Sequence, residues 1–123
     1  MQYRRGGAIT GHRIASLDTI HAHWHLLMRI RNVAHRGLKR FIEHQDRSGL
    51  PSAALGKVRL IVSFLLYIQD EDELRTVRTW SAHQLTGDRF GTWSLTVTRN
   101  WRITFRVDRL NNEIVDLNYE DYH

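Results

Sequence analysis

The sequence predicts an α+β domain, with N-terminal helices packed on a twisted antiparallel β-sheet. Apolar residues recur at helical spacing in the first half of the chain, and beyond Arg78 their period changes to two. Helices first and strands afterwards make an α+β layout rather than alternating βαβ units. A length of 123 residues allows one core and not two.

Positions 1–27 hold Gly6, Gly7 and Gly11, apolar residues of no clear period, and four of the eight histidines. This stretch is read as a poorly ordered N-terminal extension, and 28–123 as the domain. Positions 30–33 read as a short strand, and 37–44 as a first helix with Leu38, Phe41 and Ile42 on one face. Gly49 and Pro51 mark a loop, with Ser52 placed to cap the next helix. That second helix runs over 52–69, where Leu55, Val58, Ile61 or Val62, Leu65 and Ile68 form a stripe flanked by Lys57 and Arg59. Its second half is apolar nearly all round, so it is expected to be the central buried helix. The acidic run 70–73 is expected to be solvated and to cap a short helical turn reaching Val77.

Strands come next. Trp93, Leu95 and Val97 alternate with Ser94 and Thr96, and Trp101, Ile103, Phe105 and Val107 alternate with Arg102, Thr104 and Arg106. Positions 114–119 make a last strand. The turns 98–100 and 108–112 are short enough for hairpins. The Trp, Ile and Phe face should bury against the apolar helix, so Trp101→Ala should cost a few kcal/mol, roughly the range for a core tryptophan. The opposite face, carrying Arg102 and Arg106, should be open to an anion.

Hydrophobic residues at 41% and charged residues at 25% are ordinary for a globular domain. The longest apolar stretch, 60–68, is broken by Ser63 and falls short of the roughly 20 residues that span a bilayer. Arg4 and Arg5 are followed by no apolar run with a cleavage site, so a secretory signal is not expected. The absence of cysteine excludes disulfides, thiolate nucleophiles and thiolate metal sites, and fits a cytoplasmic protein. The net charge is +5, and of 18 basic residues only Lys39 and Lys57 are lysine. Guanidinium groups grip phosphate bidentately and stack on bases, which leans toward nucleic acid. A GC-rich genome would produce the same arginine bias.

Three groups of residues carry chemistry. The run 83–89 places His83 at a strand end before a glycine-containing turn and Arg89. Arg102, flanked by Asn100 and Trp101, projects from the polar face of a strand, where rigid backbone fixes its position. The chain ends on Tyr119, Glu120, Asp121, Tyr122 and His123. RNA cleavage without a metal needs a base for the ribose 2′-hydroxyl, a cation for the phosphorane and an acid for the leaving oxygen. Histidine suits the proton transfers near neutral pH and arginine suits the phosphorane. By spacing alone, a strand arginine is more often solvated, and a terminal histidine more often frayed.

The runs Leu85-Thr86-Gly87-Asp88-Arg89, Gly91-Thr92-Trp93-Ser94-Leu95, Asn100-Trp101-Arg102-Ile103-Thr104-Phe105 and Asn118-Tyr119-Glu120-Asp121-Tyr122-His123 resemble the plasmid-maintenance killer proteins. These form the HigB branch of the RelE/ParE toxin superfamily. Gly37-Leu38-Lys39-Arg40-Phe41 and Ser48-Gly49-Leu50 are similar too, so the likeness covers about 28–123. The resemblance implies the microbial-ribonuclease (RelE-like) fold. It also implies metal-independent, cofactor-free cleavage of messenger RNA in the ribosomal A site, and neutralisation by a HigA-type helix-turn-helix antitoxin. Operator DNA would be met only through the antitoxin complex, and no membrane is involved. By matching position, His83 and His123 are the proton-transfer candidates, and the likeness leaves open which is the acid. Asp121 and Tyr122 would position the RNA or the terminal imidazole, and Arg102 would stabilise the transition state. Arg89 and Asn100 would contact phosphate or base, as would Lys57 and Arg59 where the family has a basic helix start. The alternative is a ParE-like toxin that binds DNA gyrase and has no nuclease chemistry, against which the terminal Asp121-Tyr122-His123 argues.

The extension 1–27 departs from the family, whose members begin near a residue matching Met28, so a start at Met28 is expected. His21, His23 and His25 alternate within it, but with no cysteine and no partner cluster a metal site is not expected.

Overall fold

A computed structural model describes residues 28–122. The extension with its alternating histidines, and His123, lie outside the described residues.

Leu38 and Phe41 lie three residues apart on one face of helix α1, Arg36–His44, and both are buried. His35 caps this helix, its Nδ1 accepting the Leu38 N–H at 3.0 Å. Gln45 ends it in the left-handed region at φ 62°. Helix and loop touch backbone to backbone at two glycines, since a Cβ on Gly37 would lie 2.2 Å from the Gly49 carbonyl oxygen.

Helix α2, Ser52–Tyr67, buries Ala54, Val58, Ile61, Val62 and Leu65. Two expectations change here. Pro51 rather than Ser52 occupies the cap, and Ser52 is already helical. The helix is also not enclosed: Leu60 and Tyr67 are 62% and 68% exposed. It has one sheet to pack on, so its outer side meets solvent. A 3-10 helix, Glu71–Thr76, follows with the anticipated acidic cap, a reciprocal box between Asp70 and Glu73. Glu71 departs from the solvated acidic run and is buried at 8% exposure.

Among the described residues the sheet has five strands: β1 (Arg29–Ile30), β2 (His83–Gln84), β3 (Trp93–Thr96), β4 (Trp101–Asp108) and β5 (Glu113–Asp121). Their order is β1-β5-β4-β3-β2. β2 to β5 pair antiparallel as the alternation implied. β1 is shorter than expected and pairs parallel with β5, extended by a bridge between Val33 and Leu117. A hairpin pattern is local, whereas the direction in which the first strand meets the last depends on how the helices return the chain.

Cross-strand register assigns the faces, because paired residues share one and neighbours alternate. Trp93, Leu95, Ile103, Phe105, Leu117 and Tyr119 lie in one core with Val58, Ile61 and Leu65 of α2. The other face carries His83, Ser94 and Thr96 on β2 and β3, Arg102 and Thr104 on β4, and Asn118 and Glu120 on β5. Between Thr104 and Arg106 the register shifts, with Asp116 at φ 57° marking the extra residue on β5. Among the described residues the helices cover one side of the sheet and none packs on the polar side, its open face, although Ser94 and Thr104 there are themselves buried.

Candidate active site

The open face takes its chemistry from alternation. Arg102 pairs in register with Thr96 on one side and Glu120 on the other, so all three project together. The Arg102 Nη1 donates to the carbonyls of Thr98, Arg99 and Trp101, at 2.9, 3.2 and 3.1 Å. These bonds draw the side chain toward the 97–100 turn. Its Cζ sits 4.2 Å from the centroid of the Tyr122 ring, a cation–π stack. No acidic side chain among the described residues pairs with this guanidinium. Tyr122 is held by its backbone N–H, which donates to the Asn100 carbonyl at 2.5 Å. Asn100, Arg102 and Tyr122 therefore meet at one end of the open face. His123 follows directly in the chain, outside the described residues.

His83 projects from the edge strand onto the same face, in register with Ser94 and through it with Thr104. Its Nδ1 lies 2.8 Å from the Ser81 carbonyl oxygen. A carbonyl only accepts, so Nδ1 carries a proton and Nε2 is the nitrogen left for proton exchange. Such a ring can take a proton at Nε2 and later return it. The Cα atoms of His83 and Arg102 are separated by two strands and two residues, about 12 Å at roughly 4.8 Å per strand and 3.3 Å per residue.

Beside them on this face lies a cleft of about 280 Å³, whose lining includes Arg89, Thr92, Thr104, Asn118 and Glu120 and reaches Arg106 and Asp116, but neither His83 nor Arg102. Arg89 comes from a second 3-10 turn, Gly87–Arg89, placed beside the sheet by Gly87 and Gly91 at φ 73° and 90°. Its guanidinium grips Glu120 bidentately at 2.6 and 3.1 Å. Thr104 Oγ1 donates to the same carboxylate. Arg89 holds the Glu120 carboxyl below its ordinary pKa, and Glu120 raises that of Arg89. A carboxylate in an anion-facing surface is thus neutralised by its own arginine. At the far end Arg106 pairs with Asp116 at 2.9 Å.

Five of the sequence-derived candidates, His83, Arg89, Asn100, Arg102 and Tyr122, therefore gather on or beside this face. Asp121 does not share its parity: it pairs in register with Trp101 and has the alternation of the opposite face, at an exposed strand end. Lys57 and Arg59 belong to α2, the layer behind the sheet, and Arg59 lies over the Phe41 ring at 5.5 Å. The structure does not bring them to the cleft. Glu120, Thr104 and Asn118 stand within the sequence runs named above without a role assigned to them, although the period-two pattern marking Arg102 puts them on the same face. Their signal was present, but a carboxylate reads as unfavourable to RNA until its partner Arg89 is known.

Among the described residues no group of three His, Asp or Glu side chains is arranged to hold a metal ion. No described helix is long and apolar enough to cross a membrane.

Residues 31–123 match a family described as the RelE-like toxin of the type II toxin–antitoxin system HigB. Over 94 residues the chain is 37% identical to the protein named Endoribonuclease HigB from Proteus vulgaris, an overlap of 76% of this chain and 99% of that one. Among solved structures it is similar, at 20% identity and a TM-score of 0.45, to a chain of the toxin–antitoxin complex RelBE2 from Mycobacterium tuberculosis, covering 78% of this chain and 96% of that one.

Proposed function

The chain belongs to the HigB family of RelE-like toxins from type II toxin–antitoxin systems, and from that premise we propose that it is an endoribonuclease cleaving messenger RNA on the ribosome. The observation that carries the reading is Arg102, stacked on Tyr122 with no acidic partner among the described residues, on the same face as His83. A guanidinium without a carboxylate is available to a phosphate, and the Nε2 of His83 is left for proton exchange.

In this reading the ribose 2′-oxygen attacks the adjacent phosphorus as its proton leaves to one imidazole. The P–O5′ bond breaks as the leaving oxygen gains a proton from a second. His83 and His123 are the two imidazoles, and Arg102 neutralises the phosphorane oxygens. Proton transfers and one fixed cation suffice for this chemistry, so it requires neither metal nor cofactor. Tyr122 holds the arginine and offers a ring to a base, while Asn100 and Arg89 reach the flanking nucleotide. Arg89 does so only by exchanging Glu120 for phosphate. Asp121 would orient the terminal imidazole rather than touch RNA. Lys57 and Arg59, on the far layer, would steer the basic domain to the ribosome through charge alone.

An antitoxin is the partner implied by the system. We assign it to the HigA-type helix-turn-helix class, with operator DNA met only through that complex, in the cytoplasm where ribosomes are. A gyrase-directed toxin has no support in the family match or in the relative's name.

The test is induction of the chain in bacteria beside His83→Ala, Arg102→Ala and His123→Ala copies, with messenger-RNA ends mapped by primer extension. Growth arrest with in-frame cleavage that falls by about a hundredfold or more in the variants is expected, in line with the loss of a general acid–base group. Cleavage by Arg102→Ala and His123→Ala at the parental rate would remove the chemical basis of the reading.

A further inference from the structure

His83 stands on β2, a strand of two residues at the edge of the sheet. An edge strand this short has few ladder bonds, and a slip of one residue would turn His83 from the open face to the core side. Just beyond its ends the Thr96 N–H donates to the Trp80 carbonyl at 2.8 Å and the Leu85 N–H to the Thr92 carbonyl at 2.7 Å, so the backbone pairing is short but bracketed.

The side chain next to His83 adds a tie to the core. Gln84 is in register with Trp93, which is 1% exposed, and so belongs to the core side of the sheet. There the Gln84 Nε2 donates to the Glu71 carboxylate at 3.2 Å, and the Trp93 Nε1 donates to the same oxygen at 2.6 Å. The second oxygen accepts from Arg109 Nε at 2.6 Å. Glu71 is 8% exposed, a buried carboxylate satisfied by three donors. One acid from the 3-10 helix after α2 thereby joins the edge strand, the core strand β3 and the β4–β5 turn.

We propose that Glu71, acting through Gln84, is the positioning residue for the His83 imidazole. With Gln84 held inward, alternation leaves His83 one direction to face, and its Nδ1 then meets the Ser81 carbonyl. Glu71 touches no RNA in this arrangement. Its effect is on the register of β2, and through that on which ring nitrogen is presented. The inference rests on the assignment of His83 to proton transfer.

The experiment compares full-length parent, Gln84→Ala, Glu71→Gln and His83→Ala on ribosomes carrying a defined messenger RNA in the A site. It reads single-turnover cleavage, thermal melting and the His83 tautomer by NMR of its ring nitrogens. Gln84→Ala leaves Glu71 with Trp93 and Arg109, so the melting temperature should stay within a few degrees. Cleavage should nevertheless fall by about tenfold or more, as misplaced catalytic groups do. The His83 ring should also lose its fixed Nδ1–H tautomer. Glu71→Gln keeps a carbonyl acceptor for Gln84 while giving up the Arg109 ion pair, so it should melt lower yet cleave at close to the parental rate. This dissociation of rate from stability is what a purely structural role would not produce. Gln84→Ala with parental cleavage and tautomer, beside an inactive His83→Ala, would overturn the tether and leave the nuclease reading intact. A His83→Ala variant that cleaves normally would overturn the role of His83 and the tether with it.

Discussion

His35 shows how much one side chain can carry in this molecule. Its Nδ1 accepts the Leu38 N–H that opens α1, and its ring meets Tyr119 edge-on with centroids 5.4 Å apart. Only a ring with an unprotonated Nδ1 can cap, because a protonated imidazole has two donors and no acceptor. Burial, and secondarily the Arg40 charge, hold the His35 pKa below 6.5. The folded state therefore binds this proton less readily than the unfolded chain does. The stability it contributes is complete above pH 6.5 and declines as pH falls from there through the lowered folded value. The expected loss is about 1 kcal/mol, the usual worth of an N-cap, and the unfavourable charge at a helix N-terminus acts in the same direction. Urea unfolding between pH 7.5 and pH 5 would read it, with His35→Asn as the comparison, since asparagine caps without titrating. An equal slope with pH in both proteins would mean that His35 is not the titrating cap.

At the scale of elements, β4 decides two outcomes. Trp101 lies on the core parity but at the rim, half-buried and stacked on Tyr119 with centroids 4.6 Å apart. Its removal should therefore cost about 2–3 kcal/mol, below the roughly 3–5 of a fully enclosed aromatic. Denaturant unfolding of Trp101→Ala checks this, and parental stability would contradict the assignment of faces along β4. At the other end of the strand, the β4–β5 turn is tied to the segment after β1 by Arg31, which bonds both Asp108 and Glu113. The Asn111 side chain and backbone, with Arg31, hold the Asp108 pKa down at about 2. A carboxylate depressed in this way stabilises the fold fully above pH 3.8, and that contribution disappears as pH falls through about 2. Asn111→Ala removes the largest contributor, so the Asp108 titration should move up toward 3.8 when followed by NMR of the carboxyl carbon. A midpoint that stayed near 2 would show that the Asn111 backbone N–H and Arg31 set it without the side chain.

For the whole molecule, the division of labour follows from a sheet that, among the described residues, has helices on one side only. Burial is concentrated behind the sheet, so its front is free to hold arginines, a histidine and amides without the cost of burying them. The order of elements, the two helices, the three long strands and the apolar side of each were legible, because amphipathic period is a local property of the chain. His83, Arg102 and the terminal run were legible partly by residue type, and mainly through their likeness to a toxin family. Three features were not. β1 pairs parallel with β5 across more than eighty residues of sequence. Arg89, expected to meet RNA, is engaged with Glu120 thirty-one residues away. Glu71, read as part of a solvated acidic run, is the buried acceptor for Trp93 and Gln84.

By itself, then, the sequence determined which face of each strand is apolar, and so that Arg102 and Glu120 project away from the core. The tertiary structure alone decided which charges meet across that face and which residue holds the two-residue strand bearing His83. The reason is one of range. Hydrophobic period acts over three or four residues and can be counted along the chain, whereas a hydrogen bond to a buried carboxylate depends on positions fixed only after the sheet has closed.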